Sequence, residues 1–192
     1  MIVGNPHLFA IESKITQAYE RLSYRALGCF VIHICGNRYG VYKDRATMLA
    51  CSFDEVGRRL ADRNSHTAAF ACFDAGEVAD AYLSAVFSDE PQAVYFGVSF
   101  PEFEKAINSK RIVWAPDGDS AFDDGSYILQ FDVEENVRLV AFRRGKSYKH
   151  DKATLAETWI RADAFYSILE QWYEAFEFSW RLSMKNSESS FR

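Results

Sequence analysis

The sequence lacks the short motifs that mark the common catalytic sites. It contains no GxSxG nucleophile elbow, no HExxH zinc motif, no GxxxxGKS/T phosphate loop and no GxGxxG dinucleotide loop. These absences count against enzymes that depend on an activated serine, a zinc ion or a bound nucleotide. We therefore expect the protein not to be an enzyme and to carry no cofactor.

Signals for export and for a membrane span are also missing. The chain does not start with a basic segment followed by an apolar one, and charged residues interrupt every apolar run before it reaches the roughly 18 residues that a span needs. The four cysteines contain no CxxC pair. We expect a soluble protein of the cytoplasm with reduced thiols and no membrane partner.

Apolar and aromatic residues are abundant, at 48% and 16% of the 192 residues. A chain of this length can bury roughly 70% of its unfolded surface, so a core is available without disulfides. We expect a single domain over residues 1–184 and a flexible tail over 185–192, where Asn and Ser offer little to bury. The net charge of −5 repels phosphate backbones, so we expect no nucleic-acid partner.

Alternating apolar residues and turn residues predict strands joined as hairpins. The first strand places Phe9, Ile11, Ser13 and Ile15 on one face. The further predicted strands are a hairpin of 27–34 with 38–42 around a type II′ turn at Gly36-Asn37, a hairpin of 127–133 with 137–143 around Glu134-Glu135-Asn136, and single strands at 68–73, 93–98 and 155–160. The second hairpin alternates in polarity, which predicts that one of its faces is exposed.

Polar N-caps followed three residues later by Glu predict three helices. The pairs are Ser52 with Glu55, Asp74 with Glu77, and Ser99 with Glu102. A longer helix begins at Asp163 and carries one apolar stripe of Phe165, Ile168, Leu169, Trp172 and Phe176. Because hairpins dominate, we expect an α+β fold, with a largely antiparallel sheet built from hairpins and helices packed on it, including the long C-terminal helix.

A few residues with catalytic or metal-binding chemistry occur at unfavourable spacing. Cys29 and His33 lie about 13 Å apart in an extended strand, which is too far for a dyad. His33 and Cys35 are closer, and we expect both to point into a packed face. Residues 117–125 resemble a calcium loop, but Phe122 stands where the sharp turn needs Gly, so we expect no metal. A small intracellular enzyme with a Cys/His or carboxylate site is the alternative interpretation.

Charge is segregated along the second half of the chain. Residues 117–135 contain seven acidic residues and no Lys or Arg, whereas 143–152 contain five basic residues and one Asp. Segregated charge steers encounters with a complementary surface, although both runs can equally be solvated loops. The candidate partner-binding residues are Asp117, Asp119, Asp123, Asp124, Glu134 and Glu135. Tyr173, Phe178 and Trp180 are a second candidate anchor, unless they belong to the core.

Several turn and strand motifs resemble those of one protein family. They are Gly4-Asn5-Pro6 before Phe9-Ala10-Ile11, Gly28-Cys29-Phe30, Ile34-Cys35-Gly36-Asn37, Tyr39-Gly40, Ala121-Phe122-Asp123-Asp124-Gly125, and the Asp163 helix with Phe165 and Trp172. Together they resemble immunity protein 42 of bacterial polymorphic toxin systems, over nearly the whole chain. The resemblance implies a cytoplasmic protein that binds and neutralises a cognate toxin protein.

The composition is compatible with that implied function. An acidic patch can occupy the nucleic-acid groove of a basic toxin such as a nuclease and can speed association. The motifs carry over no interface residues, and they leave the toxin and the oligomeric state open. An adaptor module for a host protein is a further alternative.

Overall fold

The computed structural model describes residues 1–114 and 120–189, with the side chains of the last helix described as far as residue 184. The first half of the chain contains β1 (Ile2–Asn5), β2 (Phe9–Ala18), β3 (Ala26–Ile34), β4 (Asn37–Tyr39), β5 (Thr47–Met48), α1 (Leu49–Ala61) and α2 (Ala75–Phe87). The second half contains β6 (Val94–Tyr95), β7 (Val98–Ser99), α3 (Phe100–Ser109), β8 (Ser126–Val133), β9 (Asn136–Arg143), β10 (Ala156–Arg161) and α4 (Ala162–Ser189).

Every strand pair in the described part of the chain is antiparallel. One sheet has the order β1-β2-β3-β4, with β5 also paired to β3; a second has the order β10-β9-β8; β6 and β7 form a short hairpin. The predicted α+β class, with antiparallel hairpins and a long C-terminal helix, is confirmed. The strands divide among three sheets, because the second predicted hairpin pairs with β10 and not with the first hairpin.

The β8–β9 hairpin is buried on both faces, so the predicted exposed face is wrong. One face joins the core formed by the first sheet, α1 and α4, through Ile128, Val137, Leu139 and Ala141. The opposite face joins a second core with α2 and α3, through Leu129, Phe131, Val140 and Phe142. Strands buried on both faces carry near-continuous apolar runs, and 139–142 is such a run.

The turn of the first hairpin lies one residue earlier than predicted. Ile34 pairs with Asn37, so Cys35 and Gly36 are the two central residues, and both have positive φ, at 51° and 79°. Two positive φ values define a type I′ turn, where a type II′ turn was predicted. Cys35 is therefore exposed at the tip of the turn and does not point into a packed face.

Two of the three predicted helix starts are confirmed. The Asp74 side chain accepts a hydrogen bond from the Glu77 N–H, and the Glu102 carboxylate accepts one from the Ser99 N–H. The start at Ser52 is wrong, because the N-cap of α1 is Met48, four residues earlier, and Ser52 is buried within the helix. The predicted strand at 68–73 is a series of turns that buries Phe70 and Ala71. The apolar residues of this segment are there because their side chains are buried, although the backbone does not pair with a strand.

The α4 helix carries the predicted apolar stripe into the first core. Phe165, Leu169, Trp172 and Phe176 are fully buried, and the Trp172 Nε1–H donates to the Ser13 hydroxyl at 3.0 Å. The helical backbone continues to Ser189, and the division at residue 184 stays a prediction. No helix within the described residues is both long and apolar enough to cross a membrane.

A buried polar network joins α1, the β8 strand and α4. Arg59, which is fully buried, donates to the Gln130 side chain at 2.9 Å and to the Val113 carbonyl at 2.7 Å, and forms an ion pair with Glu55 at 3.0 Å. The Gln130 amide donates to the Tyr166 hydroxyl at 3.0 Å. A buried guanidinium without partners is costly, so these bonds fix how the three elements pack.

His66 lies beside this network. It is fully buried, its Nδ1–H donates to the Lys110 carbonyl at 2.8 Å, and its Nε2 has no hydrogen-bond partner among the described residues. Burial and the neighbouring Arg59 charge lower the pKa of His66 below its usual value, while the bond to the Lys110 carbonyl and the charges of Asp132 and Asp62 oppose that shift. The imidazole therefore resists protonation in the folded state.

The lowered pKa of His66 predicts a loss of stability in mild acid. The unfolded chain takes up a proton on His66 near pH 6.5, whereas the folded chain takes up that proton only at a lower pH. The free energy of unfolding should therefore fall as the pH drops below 6.5, by at most about 1.4 kcal/mol per pH unit. Urea unfolding between pH 7.5 and 5.5 measures the slope. His66→Asn should flatten it, whereas the exposed His7→Asn should not; an unchanged slope in the first variant contradicts the assignment.

Candidate partner-binding surface

The structure separates the predicted acidic residues into two groups. Asp123 and Asp124 precede β8, whereas Glu134 and Glu135 form the β8–β9 turn, where Val133 pairs with Asn136. An eight-residue strand separates the two groups by roughly 27 Å. Asp117 and Asp119 lie outside the described residues. A role of all these residues in partner binding stays a prediction, but the described ones do not form one patch.

One of the two residues at the start of β8, Asp124, is paired with the basic run. Asp124 accepts hydrogen bonds from the N–H groups of Gly40 and Ser126 and pairs with Arg143 at 3.3 Å. Antiparallel pairing of β8 with β9 brings Arg143 opposite Ser126, so charges that are apart in the sequence meet in the fold. Asp124 therefore holds local structure, while Asp123 is exposed.

The group at the β8–β9 turn lies next to the exposed side of β10. Glu134 and Glu135 are exposed, and Arg161 at the end of β10 pairs with Glu135 at 3.2 Å and with Asp163 at 3.3 Å. Along β10, Ala156, Thr158 and Ile160 point inward, and Glu157, Trp159 and Arg161 point outward. The layer of α2 and α3 packs on β8 and β9 and leaves this outward side of β10 open.

Trp159 is an exposed aromatic residue held in one place. Its side chain is 45% exposed, and its Nε1–H donates to the Glu157 carboxylate at 2.9 Å. The guanidinium of Arg138 lies 5.5 Å from the indole ring, pairs with Glu157 at 2.8 Å and donates to the Ala71 carbonyl at 2.7 Å. Because Arg138 is itself buried, the indole rests on a fixed support.

These outward residues form the surface that we call the Trp159 face, which consists of Glu134, Glu135, Glu157, Trp159 and Arg161. Tryptophan and arginine dominate the residues that contribute most to protein interfaces. An anchor that is fixed before binding also loses less conformational entropy when a partner arrives. The geometry therefore suits recognition of a protein.

Sequence reasoning did not find Trp159. The sequence does place Trp159 in the predicted strand 155–160, next to the apolar Ile160. Because side chains alternate between the two faces of a strand, that position could have indicated that Trp159 points outward. The contact of Arg138 with Ala71 spans 67 positions, and no local pattern indicates it.

The second predicted anchor, on α4, is mostly internal. Trp180 is buried and Tyr173 stacks on Phe53 at a ring-centroid distance of 3.9 Å, which leaves only Phe178 of the three exposed.

The residues of the alternative enzyme interpretation do not come together. His33 Nε2 is 2.9 Å from the Glu12 carboxylate, which also accepts from the Tyr42 hydroxyl, whereas the Cys35 thiol donates to the Glu157 carbonyl. Burial would raise the pKa of Glu12, but the bonds from His33 and Tyr42 outweigh it and lower that pKa. Among the residues with described side chains, no three His, Cys, Asp or Glu groups are arranged to hold a metal ion.

The layered antiparallel α+β fold and the Trp159 face define a small protein with a surface suited to a protein partner. The model of the immunity protein 42 family matches residues 1–175. The chain therefore belongs to the immunity protein 42 family, and the resemblance seen in its motifs is confirmed. Comparison with curated protein sequences gives no match.

A solved structure has the same fold. It is the crystal structure of CdiI from Burkholderia dolosa AUO158, which is 20% identical in sequence and superposes with a TM-score of 0.56. The similarity covers 89% of this chain and 97% of that one. At this identity the likeness extends to the fold alone.

The support under Trp159 predicts a difference between two arginines. Arg138→Gln should lower the free energy of unfolding by about 2–3 kcal/mol, because it breaks the ion pair with Glu157 and leaves the Ala71 carbonyl without its donor. Arg161→Gln should lower the free energy of unfolding much less, because the ion pairs of Arg161 are exposed. Urea unfolding at pH 7.5 compares the two. Equal losses would contradict the supporting role of Arg138.

Proposed function

We propose that this chain is an immunity protein that binds a cognate bacterial toxin domain in the cytoplasm and neutralises it by covering the toxin's surface. Membership of the immunity protein 42 family supports this function. The observation that carries the proposed interface is Trp159, an exposed indole fixed by Glu157 and Arg138 on the open side of β10. The toxin contacts the Trp159 face.

The proposed contact follows the usual anatomy of protein interfaces. A stable complex buries around 800 Å² on each partner, and a few aromatic and arginine residues at its centre carry most of the energy. Trp159 is the central anchor. The ion pairs of Arg161 form a polar rim, which contributes to orientation more than to affinity.

The negative charge of the chain favours a basic toxin domain, such as a nuclease. Glu134 and Glu135 supply carboxylates beside Trp159, and the net charge of −5 extends the attraction over the whole molecule. Such attraction raises the association rate at low salt. In this proposal Asp117, Asp119, Asp123 and Asp124 also steer the toxin, although Asp124 is already partly occupied by Arg143.

No catalytic step belongs to this function. Membership of the immunity protein 42 family counts against an enzyme. His33 and Cys35 are bonded to different partners, so no observation favours the enzyme alternative over binding. Neutralisation requires only that the complex dissociate more slowly than a free toxin would find its target.

Co-expression with the toxin domain encoded by the adjacent gene tests the function and the anchor together. The native chain should restore growth, and Trp159→Ala should weaken the complex by at least about 30-fold, or about 2 kcal/mol. Leu22→Ala is the matched control, because Leu22 is 65% exposed on the β2–β3 loop, outside the Trp159 face. Circular dichroism checks that both variants fold. Absence of rescue and of a complex with the native chain would contradict the function; native affinity in Trp159→Ala would contradict the interface.

Charge reversal at the two ends of β8 separates their contributions. Glu134→Lys with Glu135→Lys should slow association several-fold at low salt and little at high salt, because screening removes the attraction. Asp123→Lys, at the far end, should have a smaller effect. Stopped-flow association at two ionic strengths measures both. An association rate that the turn variant leaves unchanged at low salt would remove the turn from the interface.

A further inference from the structure

The outward side of α4 carries apolar residues that are not buried within the chain. Phe178 is 69% exposed, more than any other large apolar residue in the described part of the chain, and Leu182 is 49% exposed. They are four positions apart, so they are neighbours on one side of the helix. The inward stripe that contains Trp172, Phe176 and Trp180 is buried in the first core, which leaves the outward side free for a second molecule.

Charged residues flank this apolar pair in a definite order. Glu170 and Glu174 are exposed on the N-terminal side and form no ion pair within the described residues, whereas Arg181 is exposed on the C-terminal side. Arg181 pairs with Glu177 at 2.8 Å on its own helix. An exposed pair of this kind contributes little to stability, so Arg181 can exchange its partner at little cost.

We infer that α4 is the dimer contact of this protein, packed antiparallel against α4 of a second copy. A two-fold axis at Phe178 stacks the two Phe178 rings and sets position 174 of one helix level with position 182 of the other. Glu174 then lies within one residue rise, 1.5 Å along the axis, of the level of Arg181 of the second copy. The Phe178 pair lies on the axis and occurs once, whereas the contact of Glu174 with Arg181 occurs twice, as a two-fold interface requires.

The charge order selects this arrangement over the parallel one. Parallel helices would bring Glu174 beside Glu174 and Arg181 beside Arg181, and like charges repel. The antiparallel arrangement joins opposite charges and covers both exposed apolar residues. Each copy contributes one Phe and one Leu side chain to this contact, which is a small apolar area for a protein interface. The expected dimer is therefore weak, with a dissociation constant on the order of 10–100 µM.

Sedimentation velocity from 1 to 500 µM tests the contact, without any toxin. The native chain should shift from monomer to dimer over this range, and Phe178→Ser should weaken the dimer at least tenfold. Leu22→Ser is the matched control and should leave it unchanged. A native chain that is monomeric at 500 µM, or an equal dimer in Phe178→Ser, would overturn the inference.

Two single charge variants give a second test that does not depend on the loss of apolar area. Glu174→Arg and Arg181→Glu should each dimerise more weakly than the native chain, because like charges then meet across the axis. Mixing the two variants should produce a heterodimer, since both cross-axis contacts become complementary. Circular dichroism establishes that each variant is folded. A mixture with no more dimer than the separate variants would refute the antiparallel register.

Discussion

The ion pair and hydrogen bonds of Arg59 are the constraint on which the rest of the structure depends. This guanidinium is fully buried between α1 and the β8–β9 hairpin, lies 4.3 Å from the Trp114 ring, and bonds to Gln130 and Val113. The two terminal nitrogens of Arg59 hold these bonds, whereas its Nε has no partner among the described residues. Because losing the remaining bonds would leave the buried charge unpaired, α1 and β8 can pack in few relative positions. The apolar cores on the two faces of the hairpin then form around that fixed contact.

The same hairpin carries the support of the proposed interface. Arg138 is in β9, whose neighbouring residues are buried in both cores, so its guanidinium cannot move far from Glu157 and Trp159. Packing of the interior thus restricts the motion of an exposed side chain, Trp159, on β10. An immunity protein has to keep its binding surface ready before the toxin arrives, and a fixed indole lowers the entropic cost of binding.

The sequence predicts local features of this fold well and long-range ones poorly. The Asp74 and Ser99 caps, the second hairpin and the α4 stripe were predicted because their signals lie within a few residues. The start of α1 was wrong because Glu55, the expected capping partner of Ser52, pairs with Arg59 instead. The hidden second face of β8–β9 depends on packing against α2 and α3, and the support of Trp159 by Arg138 depends on Ala71, which is 67 positions away. No local pattern indicates either contact.

Hydrogen–deuterium exchange of the chain with and without its toxin domain tests the central claim most directly. If the Trp159 face is the interface, amides of residues 134–138 and 156–161 should gain protection in the complex, while those of the β2–β3 loop should exchange as before. Protection that appears elsewhere and spares β10 would contradict the account.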